Sequence, residues 1–303
     1  MTGDILLKLQ LSLGAISNGM AVYPINFYDD VSSFFKEIEL AVEITLDKGP
    51  NTIFLPELSL FVQCYSLADF EIAKKHSDPE TWQRDYLQLI SGTAEFIRIW
   101  EDIWFKHTSW IKQYFSYRKR KNTSIFARDL RGVNISKEIA DHFLEKEHLL
   151  GKVQAKRYIG LVVPPHRQFR NITSDYFIGD QKLVGVAAFA KPMLMKEPGL
   201  EGQLSGELIR FCSILGTRIV GGLSKVIQYY HKEEKVNNIM TYIDLEWNRG
   251  EGYQSIGFQE VQLTKPILYT LNDLGERVIC QTWEEASTCT AGNKKLRIYF
   301  SEN

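Results

Sequence analysis

Apolar residues recur along this chain at spacings that switch between the periods of helix and strand. In residues 31–47 (VSSFFKEIELAVEITLD) the spacing is helical and Lys48-Gly49-Pro50 supplies a stop, so a helix is expected there. Thr52 to Cys64 reads as two short strands around a turn at Pro56-Glu57. The polar stretch 66–92 carries a helix from Pro79 to Ile90. Phe96 to Trp100 reads as a strand, and Glu101 to Tyr117 as a helix rich in tryptophan and phenylalanine.

The second half alternates differently. Ser124 to Asp129 is a short strand, and Ser136 N-caps a helix from Lys137 to His148. Tyr158 to Val163 and Lys182 to Ala190 read as strands, separated by a polar surface loop at 164–180. Glu207 to Cys212 is a strand, Gly221 to His231 a helix and Ile239 to Asp244 another strand. Tyr253 falls on a short helix, and Gln259 to Leu263 with Pro266 to Leu271 is expected to form a closing hairpin. This order predicts an α/β (α+β) chain: a mixed sheet with helices on its faces, preceded by a smaller α/β domain. The basic cluster Arg118-Lys119-Arg120-Lys121 marks the boundary, so domains are expected at 1–120 and 121–303.

Composition narrows the classes. At 303 residues the chain has room for two cores. Its 36 basic and 37 acidic residues nearly cancel, so no global field draws it to nucleic acid or a membrane surface. Contact with phosphates would need a local patch such as 118–121, which reads equally as a solvated linker. The four cysteines are scattered without a CxxC pair, which argues against a metal site or disulfide framework and for a reducing, cytoplasmic setting. The apolar run Ile5 to Val22 is interrupted by Lys8, Gln10, Ser12 and Asn18 and lacks a basic n-region, so it is not read as a signal peptide. No stretch reaches the length of an uninterrupted apolar membrane span.

Chemistry concentrates in the last third. Ile239 to Asp244 ends a strand in a carboxylate, and the glycine-rich turn that follows leads to Tyr253, ahead of Gly257-Phe258. Asp244 shares a strand face with Tyr242 and is a candidate base or ligand-orienting group, or else an N-cap or a loop salt bridge. Glu207 and Arg210, on the neighbouring strand, could pair with it or with substrate; three apart, they cannot share a face of a regular strand. Arg210, His148 and Asn248 are candidate substrate or DNA contacts, although a histidine at a helix C-terminus is also explained by the helix dipole. Arg218, Gly221, Gly222, Ser224 and Lys225 open a helix with two glycines, as a phosphate cradle does and as an ordinary turn also does.

These motifs resemble acetyltransferases of the GNAT superfamily. That family holds a cofactor pyrophosphate with Arg/Gln-x-x-Gly-x-Gly/Ala; Arg218 and Gly221 match, while Leu223 replaces the final small residue. In its Tyr-x-x-x-Gly-Phe pattern, matched from Tyr253 to Phe258, the tyrosine protonates the departing thiolate. Tyr253 and Phe258 also read as plain core aromatics. The resemblance implies a GNAT-like mixed-sheet domain using acetyl-CoA or another acyl donor, with Tyr253 and Asp244 as catalytic candidates.

The stretch from Phe96 to Leu271 also resembles phage and mobile-element proteins related to homing endonucleases. The matching phrases are Ile97 to Trp104, Ile125 to Arg128, Phe143 to Gly151, Glu207 to Cys212, Val220 to Lys225 and Tyr242 to Phe258. The strand bearing Asp244 resembles that of Mom-type DNA-modification proteins. This second resemblance implies a degenerate nuclease of the very-short-patch-repair type at the N-terminus, a DNA partner and assembly with other phage or mobile-element proteins. Such nucleases hold a divalent metal with an aspartate on the first strand and an acid on the second. Thr52 (or Asn51) and Gln63 stand there instead, so no metal site is expected. Three readings follow: a transferase acting on nucleic acid or a nucleotide, a non-catalytic DNA-associated module, and an endonuclease with ligands among Glu57, Asp69, Glu101 and Asp102.

Overall fold

The computed structural model describes residues 26–45, 49, 51–92, 94–120, 123–167, 169, 172 and 174–300. The apolar run at 5–22 lies outside the described residues, as does Lys121. Among the described residues no helix is long and apolar enough to cross a membrane.

In chain order the elements begin α1 (Phe27–Glu37), β1 (Glu43–Thr45), β2 (Thr52–Leu55), β3 (Leu60–Tyr65), α2 (Leu67–Lys74), α3 (Pro79–Leu89), β4 (Glu95–Trp100) and α4 (Glu101–Arg120). They continue as β5 (Thr123–Phe126), β6 (Arg131–Asn134), α5 (Lys137–Glu147), β7 (Arg157–Val162), β8 (Phe177–Ile178), β9 (Gln181–Phe189), β10 (Met193–Leu194), β11 (Leu204–Ser213) and β12 (Thr217–Val220). The remainder is α6 (Gly222–Glu234), β13 (Asn238–Asp244), α7 (Glu251–Gln254), β14 (Gln259–Leu263), β15 (Leu268–Leu271), β16 (Arg277–Ile279), β17 (Thr288–Cys289) and β18 (Asn293–Tyr299).

Contacts divide the chain into two compact units. One holds the residues up to Lys106 together with Lys265–Gly292, and the other His107–Thr264 with the residues from Asn293 onward. The division falls within α4, where His107 departs from helical geometry (φ −121°, ψ 23°), and not at the basic cluster.

The first unit has a four-stranded sheet, β1-β2-β3-β4, in which only β3 and β4 run parallel. The helix expected at 31–47 is replaced by the shorter α1, which buries Phe27, Val31, Phe34 and Phe35 along one stripe. It ends because Glu39 adopts a left-handed conformation (φ 58°) that no helix interior tolerates. Residues 265–292 join this unit through aromatic packing: Trp283 meets Phe70 edge-on at 5.2 Å and its indole N–H donates to the Ser77 carbonyl at 2.8 Å. In the same unit, Arg277 grips buried Asp102 through two hydrogen bonds of 2.7 and 3.0 Å.

The second unit is built on a sheet ordered β14-β18-β13-β11-β9-β7-β6, with β11 and β13 its one parallel pair along that path. The α6 helix covers one face, where Tyr230 stacks on Phe189 with ring centroids 3.9 Å apart. The closing hairpin does not form. After Thr264 the chain leaves this sheet, β15 pairs with β16 and β17, and the chain returns as β18 to pair with β14. Thr264 and Asn293 close the base of this excursion with two hydrogen bonds of 2.8 Å. The 164–180 loop carries β8, which folds back on β9.

Candidate functional site

The site grows out of the parallel pair. β11 and β13 are in register from Ser205–Asn238 to Leu208–Thr241, and pairing stops there although β11 runs on to Ser213 and β13 to Asp244. The Thr241 hydroxyl donates to the Leu208 carbonyl at 2.9 Å and closes the last rung. Beyond it the two strands separate into a wedge bounded by residues 209–213 and 242–244. A strand that stops pairing leaves obligatory backbone donors and acceptors for another partner.

A bulge changes what β11 presents to this wedge. Its register against β9 shifts between Leu208 and Arg210. Gly206 lies under Tyr230 of α6, and Phe211 lies under Gly222 of the same helix. Glu207 and Arg210 therefore both point away from α6, and the rule for a regular strand gives way to the irregularity.

Glu207 is half-buried, and its side-chain carboxylate has no hydrogen bond or ion pair among the described residues. Burial raises its carboxyl above the ordinary value, with Lys295 pulling the other way. The Tyr242 phenol is raised as well, first by burial and then by Glu207. Arg210 donates to the carbonyls of Gly151 and, at 2.6 Å, Lys152, just past α5, and burial lowers its pKa. Beside it, the half-buried His148 accepts the Leu150 amide on Nδ1 at 3.1 Å. Burial and then the Arg210 charge lower His148 to about 4, so the ring is neutral and carries its proton on Nε2. The Cys212 thiol is pushed well above its ordinary value by burial and then by Glu147.

Tyr253 is half-buried, meets Phe258 edge-on at 5.6 Å and packs against the main core. Its hydroxyl has no hydrogen-bond partner among the described residues. Burial pushes the phenol up to about 12, and the nearby Cys212 adds to the shift. Asp244 and Asn248 shape the turn that delivers α7: Asp244 Oδ1 accepts the Glu246 amide at 2.9 Å, and Asn248 Oδ1 accepts the Gly250 amide at 2.7 Å.

The expected cradle is assembled in part. Gly221 caps α6 in the left-handed region (φ 76°), a conformation glycine adopts without a Cβ penalty. An open pocket of about 340 Å³ lies there, lined by Phe126, Ala127, Arg128, Val220, Gly221, Ser224, Lys225 and Gln228. The first-turn amides of α6 and the Ser224 hydroxyl are suited to an anion. Lys225 Nζ donates to the Ala127 carbonyl at 2.9 Å, and Arg128, packed over the Phe126 ring at 4.7 Å, adds a second cation. Arg218 is exposed on β12 outside this lining, paired in register with Ser124. Gly222 is buried, since a Cβ there would lie 2.8 Å from Ile219 and 3.1 Å from Phe211, and Leu223 packs toward the core. The Gly221–Ser224–Lys225 side of the helix end offers backbone amides, a hydroxyl and an ammonium to an anion. Sequence reasoning missed Arg128, whose approach depends on β5 pairing with β12.

Of the basic cluster, Arg118 donates to the Tyr114 hydroxyl at 3.1 Å and lies over its ring, Lys119 is half-buried and Arg120 is exposed. In the first unit, Thr52 and Gln63 face each other across β2 and β3 and are both buried. Gln63 Oε1 accepts from buried Arg98 at 2.8 Å, and that guanidinium packs over Tyr65, Trp82 and Tyr86. The four carboxylates considered as alternative metal ligands have other work. Glu57 accepts the Ala41 amide, Asp69 completes the α2 capping box, Glu101 accepts the Leu67 amide and Asp102 pairs with Arg277. Among the described residues no group of three or more His, Cys, Asp or Glu is placed to hold a metal.

No family model matches the chain, and no curated protein matches it. Among solved structures, it is similar over 57% of its length to 99% of a chain from the NatC complex bound to Gag peptide and CoA, at 10% identity and TM-score 0.34. It is similar over the same share to 96% of a ribosomal-protein alanine N-acetyltransferase from Escherichia coli, at 12% identity and TM-score 0.34. A Bacillus subtilis acetyltransferase in complex with CoA is matched over 57% of this chain and 99% of its own, at 14% identity and TM-score 0.30.

Proposed function

We propose that the second unit is a GNAT-fold acyltransferase that moves an acyl group from a coenzyme A thioester to an amine. The observation that carries this reading is the wedge: a parallel pair that parts beyond Leu208 and Thr241, with a helix N-terminus and a partnerless phenol beside it. Gly221, Ser224, Lys225 and Arg128 would hold the carrier's phosphates. When bound, the carrier supplies an activated acyl carbon and a thiol leaving group. Glu207 takes a proton from the acceptor ammonium, and its raised pKa brings it nearer the range in which a base works at neutral pH. Tyr253, held at about 12, keeps its proton through the neutral range and donates it to the departing sulfur.

The narrower reading, in which the acceptor is DNA or a nucleotide and the first unit descends from a nuclease, draws on the resemblance of the phrases around Trp100, Phe143 and Tyr242 and on exposed Arg120. One experiment covers both readings: coenzyme A release from acetyl-CoA in the presence of amines, peptides and DNA oligonucleotides. Tyr253→Phe is expected to lower kcat by about 10- to 100-fold with little change in KM, because the phenol acts on the leaving group. Equal rates for variant and wild type would remove Tyr253 from the chemistry. Absence of release with every acceptor would favour a non-catalytic module.

A further inference from the structure

We propose that the acceptor is a small zwitterion, an amine bearing a carboxylate, whose ammonium docks on Glu207 and whose carboxylate docks on Arg210 and His148. This rests on the acyl-transfer reading and deepens it by naming the acceptor class.

The bulge in β11 places one negative and one positive side chain on the same strand face, at the edge of the wedge. Half-buried opposite charges ordinarily settle against a countercharge, because an unpaired ion loses hydration for nothing. Here neither does so: among the described residues neither Glu207 nor Arg210 has an ion-pair partner. Arg210 is held by two backbone carbonyls, Gly151 and Lys152, which fix its position without an ion pair. Neutral His148 stands next to it with an Nε2–H donor that meets no partner, a second hydrogen bond for an anion. The other groups near these two are Tyr242 and Lys295 beside Glu207, and Cys212 and Glu145 beside Arg210.

Three residues of strand span about 10 Å between Cα atoms at most, so a molecule with a few bonds between amine and carboxylate bridges the two side chains. A polyamine would set a second cation against Arg210 and be disfavoured. In the reaction the ammonium gives a proton to Glu207, the amine nitrogen bonds to the acyl carbon and the carbon–sulfur bond of the thioester breaks; the sulfur takes the Tyr253 proton, the second proton shed by the nitrogen returns to the Tyr253 phenolate, and Glu207 releases its proton to solvent.

The test uses the full chain with acetyl-CoA and measures coenzyme A release. The acceptors are glycine, β-alanine and γ-aminobutyrate, each against its amide, with spermidine and phosphoethanolamine as contrasts. The expected result is a kcat/KM about 10- to 100-fold higher for an acid than for its amide, the size of one or two charge-assisted hydrogen bonds. In Arg210→Gln that ratio falls to about one, and in His148→Gln it shrinks. Because the ratio is taken within each variant, a partly misfolded sample does not alter it. Equal use of acid and amide, or preference for spermidine, overturns this inference and leaves acyl transfer standing. Preference for phosphoethanolamine overturns the carboxylate assignment. No release with any acceptor overturns both.

Discussion

Glu207→Gln is expected to lower kcat by about 10²- to 10⁴-fold and to abolish the acid limb of the pH–rate profile. The variant keeps the shape of the side chain and loses the ability to take a proton. Glu207 sits one residue before the last rung of the β11–β13 ladder, half-buried and without a partner among the described residues. The sign of the pH effect follows from burial. Burial disfavours the carboxylate, so the folded-state pKa lies above the ordinary glutamate value, with Lys295 restraining the rise. A base works only when deprotonated, so wild-type activity falls as pH drops through that raised value and is full well above it. In the variant the residual rate should be flat across the same window. A rate profile unchanged by the substitution would assign the base role to another group.

Asp102→Asn is expected to destabilise the first unit by about 3–5 kcal/mol, the usual consequence of removing one partner from a buried ion pair. Asp102 is 2% exposed, and Arg277 holds it through two nitrogens while its guanidinium lies over Trp100 and Tyr269 at 5.7 and 5.4 Å. Losing the carboxylate removes the negative charge held against Arg277 by two hydrogen bonds and loosens the hold of residues 265–292 on the start of α4. Urea unfolding followed by tryptophan fluorescence measures the loss, with Trp100 against Arg277 as the reporter. High salt should change the wild-type value little, because a buried pair is poorly screened. A change below about 1 kcal/mol would mean that the pair behaves as an exposed one.

Much of the fold is legible in the spacing of apolar residues, because local periodicity reports which side of an element is buried. The strands at 96–100, 182–190 and 239–244 and the helices at 79–90 and 137–148 appear in the structure within a few residues of their expected bounds. Pairing over long distances is less legible. Gln259–Leu263 reads as half of a hairpin because its neighbour in sequence is also strand-like, yet its partner is Asn293–Tyr299, across an excursion that belongs to the other unit. No local pattern encodes that choice. Nor does one encode the division within α4, which the charge run at 118–121 suggests should lie later.

The candidate site shows the same split. Tyr253 and Gly221 are visible from their motif context; the structure gives the Tyr253 hydroxyl no hydrogen bond among the described residues and puts Gly221 at the start of α6. Asp244 and Asn248 carry the right chemistry for contacts, yet their side chains form the turn leading to α7. Glu207 and Arg210 are visible as charges within a strand, but an alternation rule sends them to opposite faces. Only the register shift reverses that, and a bulge depends on the neighbouring strand as much as on its own residues. Arg128 is hidden for a related reason, since it reaches the α6 end through the parallel pairing of β5 with β12.

Hydrogen–deuterium exchange with and without acetyl-CoA tests the wedge most directly, because it reads backbone amides and needs no acceptor. Acyl-donor binding in the opened pair predicts slower exchange at residues 209–213, 242–244 and 221–225, with no comparable change in the first unit. Unchanged exchange at all three segments under saturating acetyl-CoA would contradict an acyltransferase site in this wedge.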